Sequence, residues 1–255
     1  PENLYNASEK EFNHVGKLLG HKTMVLLQKF RKDEELYKAQ KILEQSDLTI
    51  ITLLSPEYPP LLKSIYDPPP VIYCRGKPLL SNKPAIAIVG SRLSSEYGRK
   101  SATKIARDLA SSGVTIVSGM ARGIDTMAHK GALEVEDGYT IAVLGGGVDY
   151  IYPAENASLY HAILDHGTII SEYPPGTKPS PGNFPARNRV VSGLSYGTVV
   201  IEAGLKSGAL ITVDCALEQG REVYAIPGNI SSPYSKGTNK LIKEGANIVT
   251  SAEDI

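Results

Sequence analysis

The 255-residue chain is long enough for one large α/β domain and a small appendage, and its 42% hydrophobic and 21% charged residues exclude extensive disorder. Lysine plus arginine equals aspartate plus glutamate at 27 each, so the bulk basicity typical of nucleic-acid binders is absent. No run approaches the roughly 18 apolar residues that a bilayer span needs, which predicts a soluble, cytoplasmic protein without membrane insertion.

Residues 1–46 are charged and follow a helical pattern. Apolar pairs recur at Leu18–Leu19, Leu26–Leu27 and Leu36–Tyr37. We expect a small helical module here, and its sequence indicates no chemistry.

Residues 47–83 form a proline-rich connector. Two short β-type runs, Leu48–Leu54 and Val71–Cys74, flank its prolines. Because proline cannot donate to a strand ladder, we expect this connector at a sheet edge or between domains.

From residue 84 to residue 255, short apolar strands alternate with helical stretches such as Tyr97–Ala110. Strands that are apolar on both faces suit a parallel sheet covered by helices on both sides. The sequence therefore predicts an extended Rossmann-like α/β domain, doubly wound around a mostly parallel sheet. The predicted strands are Ala85–Val89, Val114–Ser118, Tyr139–Leu144, Thr168–Ser171, Thr198–Ile201 and Glu222–Ile226.

Glycines and arginines follow the first strands of this domain, where an open parallel sheet binds its ligands. Glycine lets backbone N–H groups approach a ligand, helix N-termini favour anions, and arginine adds charge. The alternative is that the glycines only make tight turns, but three such loops together favour an anion site. The candidate residues are Gly90, Ser91, Arg92, Gly119, Arg122 and Gly123, with Gly145–Gly147 after the third strand.

A proline- and glycine-rich loop over residues 171–189 interleaves cations with an aromatic ring. Cations can bind the phosphates of a nucleic acid, and the face of a phenylalanine ring can stack on a base, which contributes about 1–3 kcal/mol. This combination suits the binding of a flexible polyanion with exposed bases. Alternatively, Phe184 lies in the core and both arginines pair with carboxylates. The candidate residues are Lys178, Asn183, Phe184, Arg187, Asn188 and Arg189.

Other constellations indicate neither a cofactor nor a metal. The first loop lacks the G-x-G-x-x-G pattern and no phosphate-loop motif occurs, which argues against classical NAD or ATP sites. Asp125 and His129 are interpreted as a cap and a core residue, and the two cysteines as reduced thiols. Asp149 and Glu155 are expected to position loops. No ordered nucleophile–base set appears, so no catalytic residue is assigned.

Six motifs occur along residues 84–248. They are GSR (Gly90–Arg92), GMARGID (Gly119–Asp125), LGGGVDxIYPxEN (Leu144–Asn156), SEYPPG…NFPxRNRxxSGLS (Ser171–Ser195), EAxxxSGAL (Glu202–Leu210) and AIPG…GTN (Ala225–Asn239). Together these motifs resemble the DprA/Smf family of DNA-processing proteins. The resemblance implies a Rossmann-like domain that binds single-stranded DNA without turnover, dimerises, and loads a RecA-type recombinase during natural transformation. It also implies that the leading helices are like a sterile-alpha-motif module.

A nucleotide-processing enzyme is the alternative, because phosphoribohydrolases share the extended Rossmann fold and resemble the chain around Gly197-Thr198. Their PGGxGTxxE motif is missing. Leu194–Tyr196 replaces its PGG, and Glu202 falls one position late. A loop without those glycines cannot hold a ribose phosphate in the same way.

The C-terminal edge of the domain is a candidate dimer interface. A short helix is expected over Thr238–Ala246, followed by a terminal strand with Ile248 and Val249. A symmetric contact through Leu241, Ile242 and Ile248 would cover this sheet edge. Alternatively, these residues close the domain's own core.

Overall fold

The computed structural model describes residues 8, 10–11, 14, 41 and 47–255. The chain divides into two compact units, Pro1–Leu48 and Thr49–Ile255. Apart from the few positions just given, the helical module predicted over residues 1–46 lies outside the described residues. Every helix and strand named here belongs to the second unit.

A nine-stranded sheet forms the centre of residues 47–255. Its strands are, in chain order, β1 (Thr49–Thr52), β2 (Val71–Gly76), β3 (Ala85–Val89), β4 (Thr115–Ser118), β5 (Thr140–Val143), β6 (Thr168–Ser171), β7 (Gly197–Val200), β8 (Glu222–Ala225) and β9 (Asn247–Ile248). Across the sheet they lie in the order β1-β2-β6-β5-β4-β3-β7-β8-β9. The β1–β2 and β2–β6 pairs are antiparallel, and the remaining pairs are parallel. The predicted doubly wound, mostly parallel sheet is confirmed.

Helices connect these strands and cover both faces of the sheet. In chain order they are α1 (Pro60–Lys63), α2 (Glu96–Ser111), α3 (Ile124–Leu133), α4 (Ala157–His166), α5 (Asn183–Gly193), α6 (Ala209–Glu218) and α7 (Lys236–Lys243). Short 3-10 turns lie at Ala154–Asn156 and Ala252–Asp254.

Strand β3 shows why the sequence folds this way. All five of its residues are buried, and they alternate between two cores. Ala87 and Val89 face the core that contains Val190 of α5, whereas Ile88 faces the core that contains Ile105 of α2. A strand that is apolar at every position is thus buried on both faces, as expected for a parallel sheet.

The proline-rich segment supplies one edge of the sheet. Its strands β1 and β2 occupy the outermost positions beside β6, and the Tyr58 hydroxyl donates to the Pro69 carbonyl at 2.7 Å. The segment also contributes Leu62 and Ile72 to the core. These edge strands have the position predicted from the prolines.

The opposite edge carries the candidate dimer residues. Leu241 packs partly against the domain's own core, Ile242 is half-buried, and Ile248 on edge strand β9 is 54% exposed. The helix before this strand was predicted to reach Ala246, which is wrong because Gly245 adopts a φ of +107° and α7 stops at Lys243.

Candidate nucleic-acid interface

A groove with a volume of about 760 Å³ lies at the carboxyl ends of β3, β4 and β7. Loops from these strands and the first turns of α5 and α6 form its walls, which is the usual ligand position in an open α/β sheet. The predicted residues that line it are Gly90, Ser91, Arg92, Gly119, Phe184, Arg187 and Asn188. A smaller adjoining cavity shares Arg92 and Phe184 and also includes Arg122.

Arg92 and two aromatic rings, those of Phe184 and Tyr152, form a cluster in the groove. The Arg92 guanidinium carbon lies 5.5 Å from the centroid of the Phe184 ring, and the Tyr152 ring centroid lies 5.4 Å from that of Phe184. Arg92 forms no ion pair or hydrogen bond within residues 47–255. Its donors are therefore available to an anion, while the ring beneath holds the cation by about 0.5–1 kcal/mol.

Arg187, by contrast, is a buried clamp and only 5% exposed. Its Nη1 donates to the Gly119 carbonyl at 2.8 Å and also to the Val143 carbonyl, so it joins the ends of β4 and β5. Burial lowers the pKa of Arg187 to about 10, whereas the nearby Asp125 raises it. A Cβ on Gly119 would lie 2.6 Å from the Arg187 Nη2 atom, so this glycine makes room for the guanidinium.

Asp125 caps the loop after β4, as predicted. Its buried carboxylate accepts N–H bonds from Gly119 at 3.2 Å and from Ala121 at 3.3 Å. Burial raises the pKa of Asp125, while the Arg187 cation lowers it. Arg187 and Asp125 together fix the loop that carries Arg122 and Gly123.

His129 is a core residue, again as predicted. Its Nδ1 lies 2.7 Å from the Thr140 hydroxyl, which itself donates to the Ile116 carbonyl at 2.7 Å. Because that hydroxyl has one proton, the Nδ1–H must be the donor and Nε2 stays unprotonated. Burial lowers the pKa of His129 to about 3. Within the described residues, no cluster of three or more His, Cys, Asp or Glu side chains could hold a metal ion.

Side chains of the protein itself cap the N-terminus of α2. Ser95 accepts the Gly98 N–H at 3.1 Å, and the buried Glu202 carboxylate accepts the Ser95 N–H at 2.8 Å. A carboxylate already satisfies this helix end, which leaves Arg92 four residues upstream as an exposed cation. The same hydrogen bonds engage Glu202, the residue that the sequence analysis compared with the glutamate of the PGGxGTxxE motif.

Arg189 does not line this groove, and its role as a DNA contact stays a prediction. Its Nη1 and Nη2 donate to the Glu172 carboxylate at 2.7 and 2.8 Å, and Nε donates to Asp67. This bidentate pair joins α5 to the loops that follow β6 and precede β2. The alternative reading of the sequence, in which this arginine pairs with carboxylates, is correct for Arg189.

The remaining predicted residues take different positions. Arg122 is exposed and pairs with Glu155, a contact that phosphate could displace because such pairs contribute about 0–1 kcal/mol. Asn183 donates to the Gly145 carbonyl at 2.9 Å, and Lys178 is exposed on the loop before α5. Gly123 has a φ of +75° at the start of α3.

The groove lining also includes cationic and aromatic side chains that were not predicted from the sequence, among them Tyr152, Lys206 and Tyr234. Tyr152 follows the triple glycine and Lys206 follows β7, so the rule that ligands bind after parallel strands could have found both. Tyr234 lies in the loop after β8, nine residues beyond the strand, and no local pattern indicates its position.

Comparison with known proteins identifies the family. A family model described as DNA recombination-mediator protein A matches residues 49–255. The chain belongs to this family, the DprA/Smf proteins. It is 45% identical over 212 residues to DNA processing protein DprA of Bacillus subtilis, covering 83% of this chain and 71% of that one. It is 47% identical over 214 residues to protein Smf of Escherichia coli, covering 84% of this chain and 57% of that one.

Solved structures of DprA proteins share the fold. The X-ray structure of DprA from Streptococcus pneumoniae superposes with a TM-score of 0.85 at 39% identity, covering 95% of this chain and 84% of that one. DprA from Helicobacter pylori superposes with a TM-score of 0.74 at 31% identity, covering 82% and 94%. That second structure was described for its single-stranded DNA binding mode.

Among the described residues, no helix is both long and apolar enough to cross a bilayer.

Proposed function

We propose that the groove binds single-stranded DNA without strong sequence preference. The observation that carries this proposal is the cluster of Arg92, Phe184 and Tyr152. Here a cation with no carboxylate partner in residues 47–255 lies over the Phe184 ring, which in turn contacts the Tyr152 ring. A cation beside stacking surfaces is the combination that holds the phosphates and bases of a flexible strand. The H. pylori relative, described as a single-stranded DNA binder, supports the choice of ligand.

A duplex fits this arrangement poorly. Stacking on Phe184 or Tyr152 needs a base face, and in a duplex those faces are covered by neighbouring base pairs. Sequence readout normally uses a helix or ribbon in the major groove, whereas here Arg92 and Tyr152 are in loops and Phe184 is in the first turn of α5, all at the carboxyl ends of the parallel strands. We therefore expect little discrimination between sequences.

The direct test is a gel shift with matched oligonucleotides. Single strands of two unrelated sequences are compared with the duplex that one of them forms. Similar affinity for both single strands, and weaker affinity for the duplex, is expected. Tight, sequence-selective binding of the duplex would overturn the proposal.

We further propose that the protein promotes loading of a RecA-type recombinase on incoming DNA during natural transformation, in the cytoplasm. Family membership supports this role, since the family is described as DNA recombination mediators. The test is strand exchange by a RecA-type recombinase on DNA covered with single-strand-binding protein. Acceleration by this protein is expected, and no effect at saturating protein would refute the loading role.

We also propose a homodimer formed through Leu241, Ile242 and Ile248. The exposed Ile248 on edge strand β9 supports it, because a second copy would cover both an apolar side chain and an unpaired strand edge. Two grooves in one particle would raise the avidity for a long strand.

A further inference from the structure

The groove continues well beyond the cluster of Arg92, Phe184 and Tyr152. Its far wall is formed by Lys206 and Tyr234, together with the first turn of α6. Cavities that bury a whole small molecule measure about 300–1,000 Å³, so a groove of about 760 Å³ has room beyond one stacked base.

The two ends of the groove lie over different strands. A Cβ on Gly145, just after β5, would lie 2.9 Å from the Phe184 ring. At the other end, the Ala203 N–H, just after β7, donates to the Tyr234 carbonyl at 2.8 Å. Strands β5 and β7 are separated by β4 and β3, and three spacings of about 4.8 Å give roughly 14 Å. Stacked nucleotides of one strand advance by about 3.4 Å, so the ends are roughly four nucleotides apart.

Tyr234 differs from the tyrosines that support the fold. The hydroxyls of Tyr58, Tyr97 and Tyr160 each donate to a backbone carbonyl, at 2.7, 3.0 and 2.5 Å. The Tyr234 hydroxyl has no such partner in the described region, and the side chain is 37% exposed in the groove wall. Its ring therefore has a face that a ligand can use.

Lys206 supplies the charge at this end. It is exposed and lines the same groove as Tyr234, and it takes part in no ion pair in the described part of the chain. The first turn of α6, which follows it in the chain, contains no acidic residue that would repel a phosphate. A lysine and a tyrosine ring in the same groove wall thus repeat the combination of cation and aromatic ring at the Arg92 end.

We propose that Tyr234 and Lys206 form a second nucleotide subsite, which takes a base and a phosphate of the same DNA strand roughly four nucleotides from the base that stacks on Phe184. This inference rests on the proposed single-stranded DNA binding. Tyr234 stacks on the base, and Lys206 contacts the phosphate.

The test separates bases from phosphates. The ligands are an oligothymidylate of about eight nucleotides, long enough to reach both subsites, and an abasic strand of equal length. Tyr234→Ala should weaken thymidylate binding about tenfold and leave abasic binding unchanged, since one lost stacking ring has this magnitude. Lys206→Ala should weaken the binding of both strands. Tyr196→Ala is the matched control and should bind as the wild type does, because Tyr196 is exposed at the amino end of β7, whereas the groove lies at the carboxyl ends of the strands.

A fluorescence reporter gives an independent readout, because the chain contains no tryptophan. Thymidylate, but not the abasic strand, should quench the emission of Tyr234→Trp, and neither should affect Tyr196→Trp. Unchanged thymidylate affinity of Tyr234→Ala, or equal losses for both strands, would overturn the subsite. If the wild-type protein bound no thymidylate at all, the proposed function itself would fail.

Discussion

Replacing Arg187 with alanine is expected to destabilise the protein rather than to remove only a DNA contact. The change removes donors from the Gly119 and Val143 carbonyls and leaves the buried Asp125 carboxylate without its cation. Hydrogen bonds that involve a charged group contribute about 1.5–3 kcal/mol each, so the loss of both costs about 3–6 kcal/mol. In a domain of this size each 1 kcal/mol shifts the melting temperature by about 2–4 °C, so a decrease of roughly 10 °C is expected.

Thermal and urea unfolding followed by circular dichroism measure this effect. Arg92→Ala is the matched control, because Arg92 is exposed and forms no ion pair or hydrogen bond in residues 47–255, and the loss of its contact with the Phe184 ring should cost no more than about 1 kcal/mol. Arg187→Lys should be intermediate, since lysine keeps the charge but not the planar fork. An Arg187→Ala protein with wild-type stability and no DNA affinity would refute the clamp and restore Arg187 as a DNA contact.

The remaining predictions concern the aromatic platform, the dimer and pH. Phe184→Ala should weaken single-strand binding about tenfold in a titration, while costing less stability than the roughly 3–5 kcal/mol of a fully buried phenylalanine. Ile248→Asp should give monomers by light scattering that keep short-oligonucleotide affinity, and a wild-type protein that is already monomeric at tens of micromolar would contradict the dimer. The pKa of His129 is lowered to about 3, so protonation favours the unfolded chain as the pH falls below about 6.5. As the pH falls from 6.5 to 5, the free energy of unfolding should fall by up to about 1.4 kcal/mol per pH unit. His129→Gln should remove this pH dependence. A wild-type protein whose stability does not change over this pH range would contradict the buried neutral imidazole.

Local patterns predicted the sheet well because its strands are apolar on both faces. The predicted bounds of β3 and β6 agree with the structure, and every residue of both strands is buried. The end of α7 was missed because Gly245, rather than the hydrophobic pattern, terminates the helix.

The site was only partly predictable, because its electrostatics depend on partners distant in sequence. Arg187 and Arg189 are two residues apart on α5, yet one is a buried clamp and the other pairs with Glu172. Glu202 closes the N-terminus of α2 from 107 residues away. The spacing of residues in the sequence does not predict such long-range contacts. The position of Arg92 in the site could be predicted, because ligands of open α/β sheets bind directly after the parallel strands.

We propose that the groove binds single strands through Arg92. Fluorescence anisotropy of a labelled single strand, and of its duplex, tests this in titrations with the wild-type protein and with Arg92→Ala at 50 and 200 mM salt. Over this salt range, about two phosphate contacts should lower the affinity for a single strand roughly sevenfold. The wild type should prefer the single strand and show this salt dependence. Arg92→Ala should lose at least about tenfold in affinity, more than Lys178→Ala, because a charged hydrogen bond contributes about 1.5–3 kcal/mol. Near-normal affinity in a folded Arg92→Ala protein, or binding that does not change with salt, would contradict the account.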